Sequence, residues 1–303
     1  MNIQSGFLDE LIAVGHLIPM GVDGLYGKSG VFEDLIDRVD RLITRHGADQ
    51  QAEVMRFPPA ISQLNFEESE YLKTFPHFAG TVHCFCGDER EHRRVLDCVA
   101  EGKDWTEGQK ASGIVLTPAA CYPSYPVIAR RGPVGPDGVT LDLFSYCFRH
   151  EPSLEPTRLQ FFRMREYVRI GTPAQVLAFR AHWLKVGEVL MRSLALPLTI
   201  DVANDPFFGR AGRVLAASQR EQQLKFELLV PVNSEDNPTA CLSFNYHMDH
   251  FGLIWHLRTP GDEIAHTACV GFGMERIVLA LFRHHGFDLH AWPADVRVAL
   301  GGL

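Results

Sequence analysis

Apolar positions recur at helical spacing over residues 31–46, and Gly47 follows as a natural stop, so the pattern predicts an amphipathic helix there. A short helix is expected over 66–73, bounded by Pro76. Asp88 with Glu91 forms an Asp-x-x-Glu start for a helix running to about residue 101, closed by Gly102. Thr172 as cap and Pro173 at the first helical position open a stronger helix that runs to Pro197. Residues 211–224 read as another helix. Between these the pattern turns to strands: 141–149 and 159–170 are rich in aromatic and branched residues, with Pro152 and Pro156 marking a connection. Residues 226–232, 240–246 and 253–258 add three more strand candidates. Strands that follow one another without alternating helices predict an α+β fold with an antiparallel sheet flanked by helices, not a doubly wound sheet. No linker-like stretch splits the chain, so 1–303 reads as one catalytic-sized domain with 1–50 as an N-terminal helical extension.

Composition narrows the function classes. No apolar run reaches the roughly 20 residues of a membrane span, and the first residues carry Asp9 and Glu10 rather than a basic leader, so a cytoplasmic protein with no membrane partner is expected. Lys and Arg total 29 against 37 Asp and Glu, a net charge of −8 that disfavours bulk nucleic-acid binding. The 7 cysteines are odd in number and irregularly spaced, which points to buried thiols or a few metal ligands instead of a disulfide framework.

Two stretches carry chemistry. Side chains alternate along a strand, so Cys147, Arg149 and Glu151 share a face, as do Arg158, Gln160, Phe162, Met164 and Glu166 on the next strand. Phe161, Arg163, Arg165, Tyr167 and Arg169 take the opposite face. An antiparallel pair would present Arg149, Glu151, Arg158, Phe162 and Glu166 to one site. Guanidinium forks suit phosphate oxygens, a carboxylate accepts from an exocyclic amine, and an aromatic plate stacks on a base, which together suit a nucleoside triphosphate. The plain alternative is an exposed charged hairpin. The second stretch, Cys269-Val-Gly271-Phe-Gly273-Met-Glu-Arg276, reads as a strand entering a helix, with Arg276 in the first helical turn where free amides favour an anion.

Together these stretches resemble motifs 2 and 3 of class II aminoacyl-tRNA synthetases. Phe148-Arg149-His150-Glu151, a loop, and Arg158-x-x-x-Phe162-x-x-x-Glu166 are similar to motif 2 of seryl enzymes, and Gly271-x-Gly273-x-x-Arg276 resembles motif 3. Pro58 or Pro59 stands where motif 1 places its dimer-interface proline, which implies a homodimer. The likeness covers about residues 50–285. It is closer to the atypical, zinc-dependent seryl enzymes, where the resemblance implies Zn²⁺ held by Cys121, Glu166 and Cys269. Only about fifty residues precede the candidate motif 1, so no tRNA-binding domain is expected. A core of this size resembles the bacterial amino acid:[carrier protein] ligases, which load a small amino acid onto the phosphopantetheine arm of a carrier protein.

That resemblance implies ATP-dependent activation of a small amino acid, glycine favoured over alanine, and transfer to a carrier thiol without tRNA. Arg149 would hold the α-phosphate and Arg276 the γ-phosphate. Arg158 would assist, Glu151 would read the adenine amine, and Phe162 would stack on the ring. Mg²⁺ would take Glu227 and Ser243, while Ala240 stands near the place of a second acidic ligand. Arg210, Arg213 and Arg220, on the expected helix between motifs 2 and 3, would receive an acidic carrier. Competing readings are a truncated seryl-tRNA synthetase-like protein acting on tRNA, a non-catalytic regulatory paralogue that binds nucleotide, and a nucleotide-binding protein without zinc. The P-loop-like Gly24-Leu-Tyr-Gly-Lys28-Ser29 reads as a turn, and Cys84-x-Cys86 and His247-x-x-His250 are set aside as packed or hydrogen-bonded residues.

Overall fold

Helix α1 (Ile3–Ala13) leads into a small hairpin, β1 (Leu17–Pro19) with β2 (Tyr26–Lys28), and then into α2 (Gly30–His46). This computed structural model describes residues 3–303, and the side chains of residues 3–5, Arg210 and Ala211 lie outside the described residues. The first fifty residues are therefore not wholly helical: the P-loop-like turn forms β2, and the Ser29 hydroxyl caps α2 by accepting from the Phe32 amide. The helix stops at Gly47 as its pattern predicts, burying Phe32, Leu35, Ile36, Val39, Leu42 and Ile43.

Next come β3 (Glu53–Met55), β4 (Ala60–Ser62), α3 (Gln63–Glu68) and α4 (Tyr71–Thr74). The single helix expected over 66–73 is interrupted. The Ser69 hydroxyl donates back to the Phe66 carbonyl at 2.6 Å, closing α3, and Glu70 takes a φ of 60° before α4 begins. Strand β5 (Thr81–Phe85), helix α5 (Glu89–Ala100) and strand β6 (Gln109–Leu116) follow, α5 opening on the predicted Asp88–Glu91 capping box. Strands β4, β6 and β5 form a small antiparallel sheet. Helix α6 (Ser124–Ala129) then leads to β7 (Val139–Phe148) and β8 (Phe161–Gly171), the expected antiparallel pair.

Helix α7 (Pro173–Ser193) starts at the Thr172 cap but ends short of Pro197, because Ala195 already lies at φ 50°. Strand β9 (Thr199–Val202), helix α8 (Gly209–Glu221), β10 (Lys225–Val230) and β11 (Thr239–Met248) continue the chain. The strand expected at 253–258 is instead helix α9 (His250–Trp255). Its short apolar run fits either period. The helix wins because Phe251 and Trp255, four residues apart, are buried together, and His256 at φ 54° closes the turn. Gly252 lies so near the backbone that a Cβ there would sit 2.0 Å from the Ala265 carbonyl oxygen. The chain ends with β12 (His266–Gly273), α10 (Met274–His285) and α11 (Ala294–Ala299).

Among the described residues the main sheet has seven strands in the order β3-β7-β8-β12-β11-β10-β9. It is antiparallel except at its edge, where β3 runs parallel to β7. Alternation separates its faces. Tyr167, Ala268, Val270, Phe272, Leu242, Phe244, Leu228 and Val230 point into one hydrophobic core with α2, α7 and α10. Phe7, Leu8 and Leu11 of α1 join that same core. The other face carries Glu166, Cys269, Gly271 and Ser243, and it is only partly covered by α6 and α9.

Candidate active site

The uncovered face opens into a cavity of about 470 Å³, a size suited to a small-molecule ligand. Strand register explains its floor: Glu227 lies opposite Ser243, Ser243 opposite Gly271, and Gly271 opposite Glu166, giving one row across four strands. Gly271 keeps that row open, since a Cβ there would stand 3.2 Å from Ser243 Oγ. Every nucleotide and metal candidate read from the sequence lines the cavity: Arg149, Glu151, Arg158, Phe162, Glu227, Ser243 and Arg276, with Cys121, Glu166 and Cys269.

At one end the charges are cationic. β7 ends at Phe148, and the loop to β8 is pinned where the Arg149 amide donates to the Gln160 carbonyl at 3.0 Å. Arg149 Nε donates to the Pro118 carbonyl at 3.2 Å, and its guanidinium stands 5.5 Å from the Phe162 ring centroid. Arg276 donates to the Thr157 and Ala240 carbonyls, each at 3.0 Å. Position 240 thus serves the site through its backbone. Among the described residues neither Arg149 nor Arg276 has a carboxylate in its ion-pair or hydrogen-bond contacts. Burial first, and then nearby Arg149 and Arg158, push the Arg276 guanidinium below its ordinary range. Guanidiniums that face a cavity without a direct carboxylate partner suit a polyanion. Arg158 is paired with Glu151 and, at 2.9 Å, with Glu155.

At the other end, Cys121, Glu166 and Cys269 come together. Glu166 accepts from the Cys121 amide at 2.7 Å, and both thiols contact its carboxyl group. Burial pushes the Glu166 carboxyl up, and burial together with Glu166 pushes both thiols far up. Among the described residues no group of three or more His, Cys, Asp or Glu is spaced as a finished metal site. The donor chemistry nonetheless fits Zn²⁺. Two thiols and a carboxylate converge beside an open cavity, and the fully buried Tyr125 hydroxyl next to Cys121 has no completed hydrogen bond.

Sequence reading passed over several lining residues. His247 and His250, set aside as packed, both face the cavity. His247 Nε2 lies 3.7 Å from Cys269 Sγ, and burial, helped by His250, lowers its pKa to about 3. Lys225 is buried yet paired with Asp205 at 2.6 Å and Glu227 at 2.9 Å. Burial opposes its charge, but the two carboxylates hold its pKa above the ordinary value. Gln219 of α8 accepts from the Asp205 amide at 2.7 Å and donates to its carboxylate at 2.8 Å. Helix α8 therefore closes the cavity with Leu215, Ser218 and Gln219, while Arg213 faces solvent and Arg220 pairs loosely with Asp201 at 3.5 Å. The Arg210 side chain lies outside the described residues.

No family model matches the chain. The amino acid–[acyl-carrier-protein] ligase 1 of Bradyrhizobium diazoefficiens is 49% identical to it over 282 residues, spanning 93% of this chain and 86% of that protein. The chain belongs to that ligase family. Ligase 2 of the same organism is 48% identical, over 93% of this chain and 84% of its own length. Among solved structures, M. kandleri SerRS in its complex with A. aeolicus tRNASec superposes with a TM-score of 0.82, over 98% of this chain and 61% of that one. At 23% identity that likeness is one of fold: the ligase shares the antiparallel α+β fold of that seryl-tRNA synthetase. It is an enzyme, which removes the regulatory-paralogue reading, and no described helix is long and apolar enough to cross a membrane.

Proposed function

We propose that this ligase activates a small amino acid, glycine ahead of alanine, with ATP and passes it to the phosphopantetheine thiol of a carrier protein. The observation that carries the reading is one cavity with unpaired guanidiniums at one end and a Cys/Glu/Cys cluster at the other. ATP lies along the floor, its polyphosphate against Arg149 and Arg276, its adenine stacked on Phe162 and read by Glu151. Arg158 exchanges its carboxylate partners for phosphate oxygens. Glu227 and Ser243, adjacent in register, would hold Mg²⁺, which would supply charge neutralisation for the polyphosphate.

The amino acid carboxylate is ionised at neutral pH, so its attack on the α-phosphorus needs no general base. Pyrophosphate leaves, and the chain's contribution is alignment and charge stabilisation by Arg149. Cys121, Glu166 and Cys269 would hold Zn²⁺, which supplies a Lewis-acid position for the neutral α-amine. In the second step the carrier thiol attacks the acyl carbon, AMP leaves, and a thioester remains. Arg213 and Arg220, exposed on α8, together with Arg210 receive an acidic carrier, while the inward face of the same helix lines the cavity. Two copies associate beside Pro58 and Pro59, next to the sheet-edge strand β3, where Val54 is exposed.

The test is mass spectrometry of a holo carrier protein incubated with enzyme, ATP and an amino acid panel, beside charging of bulk tRNA. A carrier mass increase equal to one glycyl residue, with no tRNA charging, is the expected result. Charging of tRNA with an unmodified carrier would overturn the reading.

A further inference from the structure

Polar side chains flank both sulfurs of the Cys/Glu/Cys cluster. Asn245 Nδ2 donates to Cys269 Sγ at 3.4 Å. His247 Nε2 stands 3.7 Å from the same sulfur, and its Nδ1 is 3.0 Å from Thr267 Oγ1. With the Thr267 hydroxyl donating to Nδ1, the imidazole proton sits on Nε2 and points at the sulfur. On the other side, Tyr125 is fully buried, its ring stacks on Phe251 at 4.4 Å, and its hydroxyl faces Cys121 without completing a hydrogen bond. Glu166 already has its own donor in the Cys121 amide.

This arrangement is wasteful around neutral thiols. Neutral thiols can both donate to the Glu166 carboxyl group, but their sulfurs are weak acceptors for the donors that surround them. Around two metal-bound thiolates every group has a role: Tyr125 donates to Cys121, and Asn245 and His247 donate to Cys269. Donors of this kind orient metal ligands, and their loss weakens metal affinity by about 10–100-fold.

We infer that Tyr125, Asn245 and His247 are positioning residues that hold Cys121 and Cys269 as thiolate ligands, a role resting on the zinc reading above. Tyr125→Phe keeps the ring stack and removes only the donor, and Asn245→Ala removes the donor on the opposite sulfur. The experiment loads wild type, both variants and Cys98→Ser, a thiol on α5 away from the cavity, with one equivalent of Zn²⁺. It then follows transfer of the metal to a chromophoric chelator. Co²⁺-loaded samples report sulfur-to-metal charge-transfer bands, and far-ultraviolet circular dichroism confirms that each variant is folded. The expected result is Zn²⁺ release accelerated about tenfold or more in both variants, shifted Co²⁺ bands, and no change in Cys98→Ser. Release at the wild-type rate from folded Tyr125→Phe and Asn245→Ala would overturn the outer-shell role and leave the zinc reading intact. Wild type that retains no Zn²⁺, or Cys121→Ser that retains it as well as wild type, would overturn the zinc reading and this role with it.

Discussion

Replacing Glu275 by alanine tests whether the fold holds Arg276 in place through one buried charge. Glu275 is 1% exposed in the first turn of α10, beside Arg276. It accepts from the Arg163 amide at 2.7 Å and from Arg163 Nε at 2.9 Å, and it lies 3.6 Å from Lys28. Truncation leaves a buried amide without its acceptor, about 1–3 kcal/mol, and breaks a buried ion pair, about 3–5 kcal/mol. Those costs overlap, and Arg163 keeps a half-exposed partner in Glu33. The net loss should therefore be about 3–4 kcal/mol, or two to three powers of ten in the unfolding equilibrium. Urea unfolding followed by tryptophan fluorescence measures it, with buried Trp183 as reporter. Glu275→Gln keeps an acceptor for the amide and should lose less. Combining Glu275→Ala with Arg163→Met should cost less than the sum of the single changes, because both halves of the pair are then gone. At temperatures where Glu275→Ala is still folded, KM for ATP should rise, since α10 no longer presses Arg276 against the carbonyls of Thr157 and Ala240. A loss under about 1 kcal/mol, or strict additivity in the double variant, would refute the reasoning.

Phe162→Ala should raise KM for ATP about 10–100-fold with a smaller effect on amino acid KM, as expected for loss of a stacking plate; pyrophosphate-exchange kinetics at varied ATP would show it. Arg213→Glu with Arg220→Glu should weaken transfer to the carrier while leaving adenylate formation intact, and a parallel fall in both steps would reject α8 as the docking face. A disulfide reagent at pH 8 should modify the exposed Cys84 and Cys86 quickly and Cys98 more slowly. Cys241, pushed up to about 12 by burial, should react only on unfolding, because its reactive thiolate is scarce at every pH below that value. The Asp205–Lys225 contribution to stability should be complete at neutral pH and disappear as pH falls through the Asp205 pKa. Burial raises the folded carboxylate, but Lys225, with Gln219 and Arg149, outweighs it and holds the group below its ordinary value near 4. Lys225→Met should flatten that acid limb in a thermal-melt series.

The parts legible in the sequence were those whose signal is local. Parity assigned Phe162 and Glu166 to one face because β7 and β8 are consecutive strands with period-two side chains, but it does not carry past the strand ends: Gln160, expected on that face, bonds His150 and the Asp23 carbonyl instead of lining the cavity. The glycine pair before Arg276 similarly announced the β12-to-α10 junction. What escaped depends on contacts between distant segments. Lys225, Asp205 and Gln219 lie on β10, a loop and α8, and only folding makes them a chain of ion pair and hydrogen bonds. His247 and His250 looked unpartnered because their neighbours, Cys269 and Glu70, are remote in sequence. The strand expected at 253–258 failed for a different reason. Six apolar-rich residues do not resolve the two periods, and tertiary packing of Phe251 and Trp255 decided for a helix.

The central claim is that this ligase uses its cavity to form an aminoacyl-adenylate. Amino-acid-dependent exchange of labelled pyrophosphate into ATP measures that step alone, across a panel with glycine, alanine and serine, before and after chelation. The account predicts exchange with glycine, less with alanine, lost on chelation and restored by Zn²⁺. No exchange with any amino acid in metal-loaded protein would contradict it.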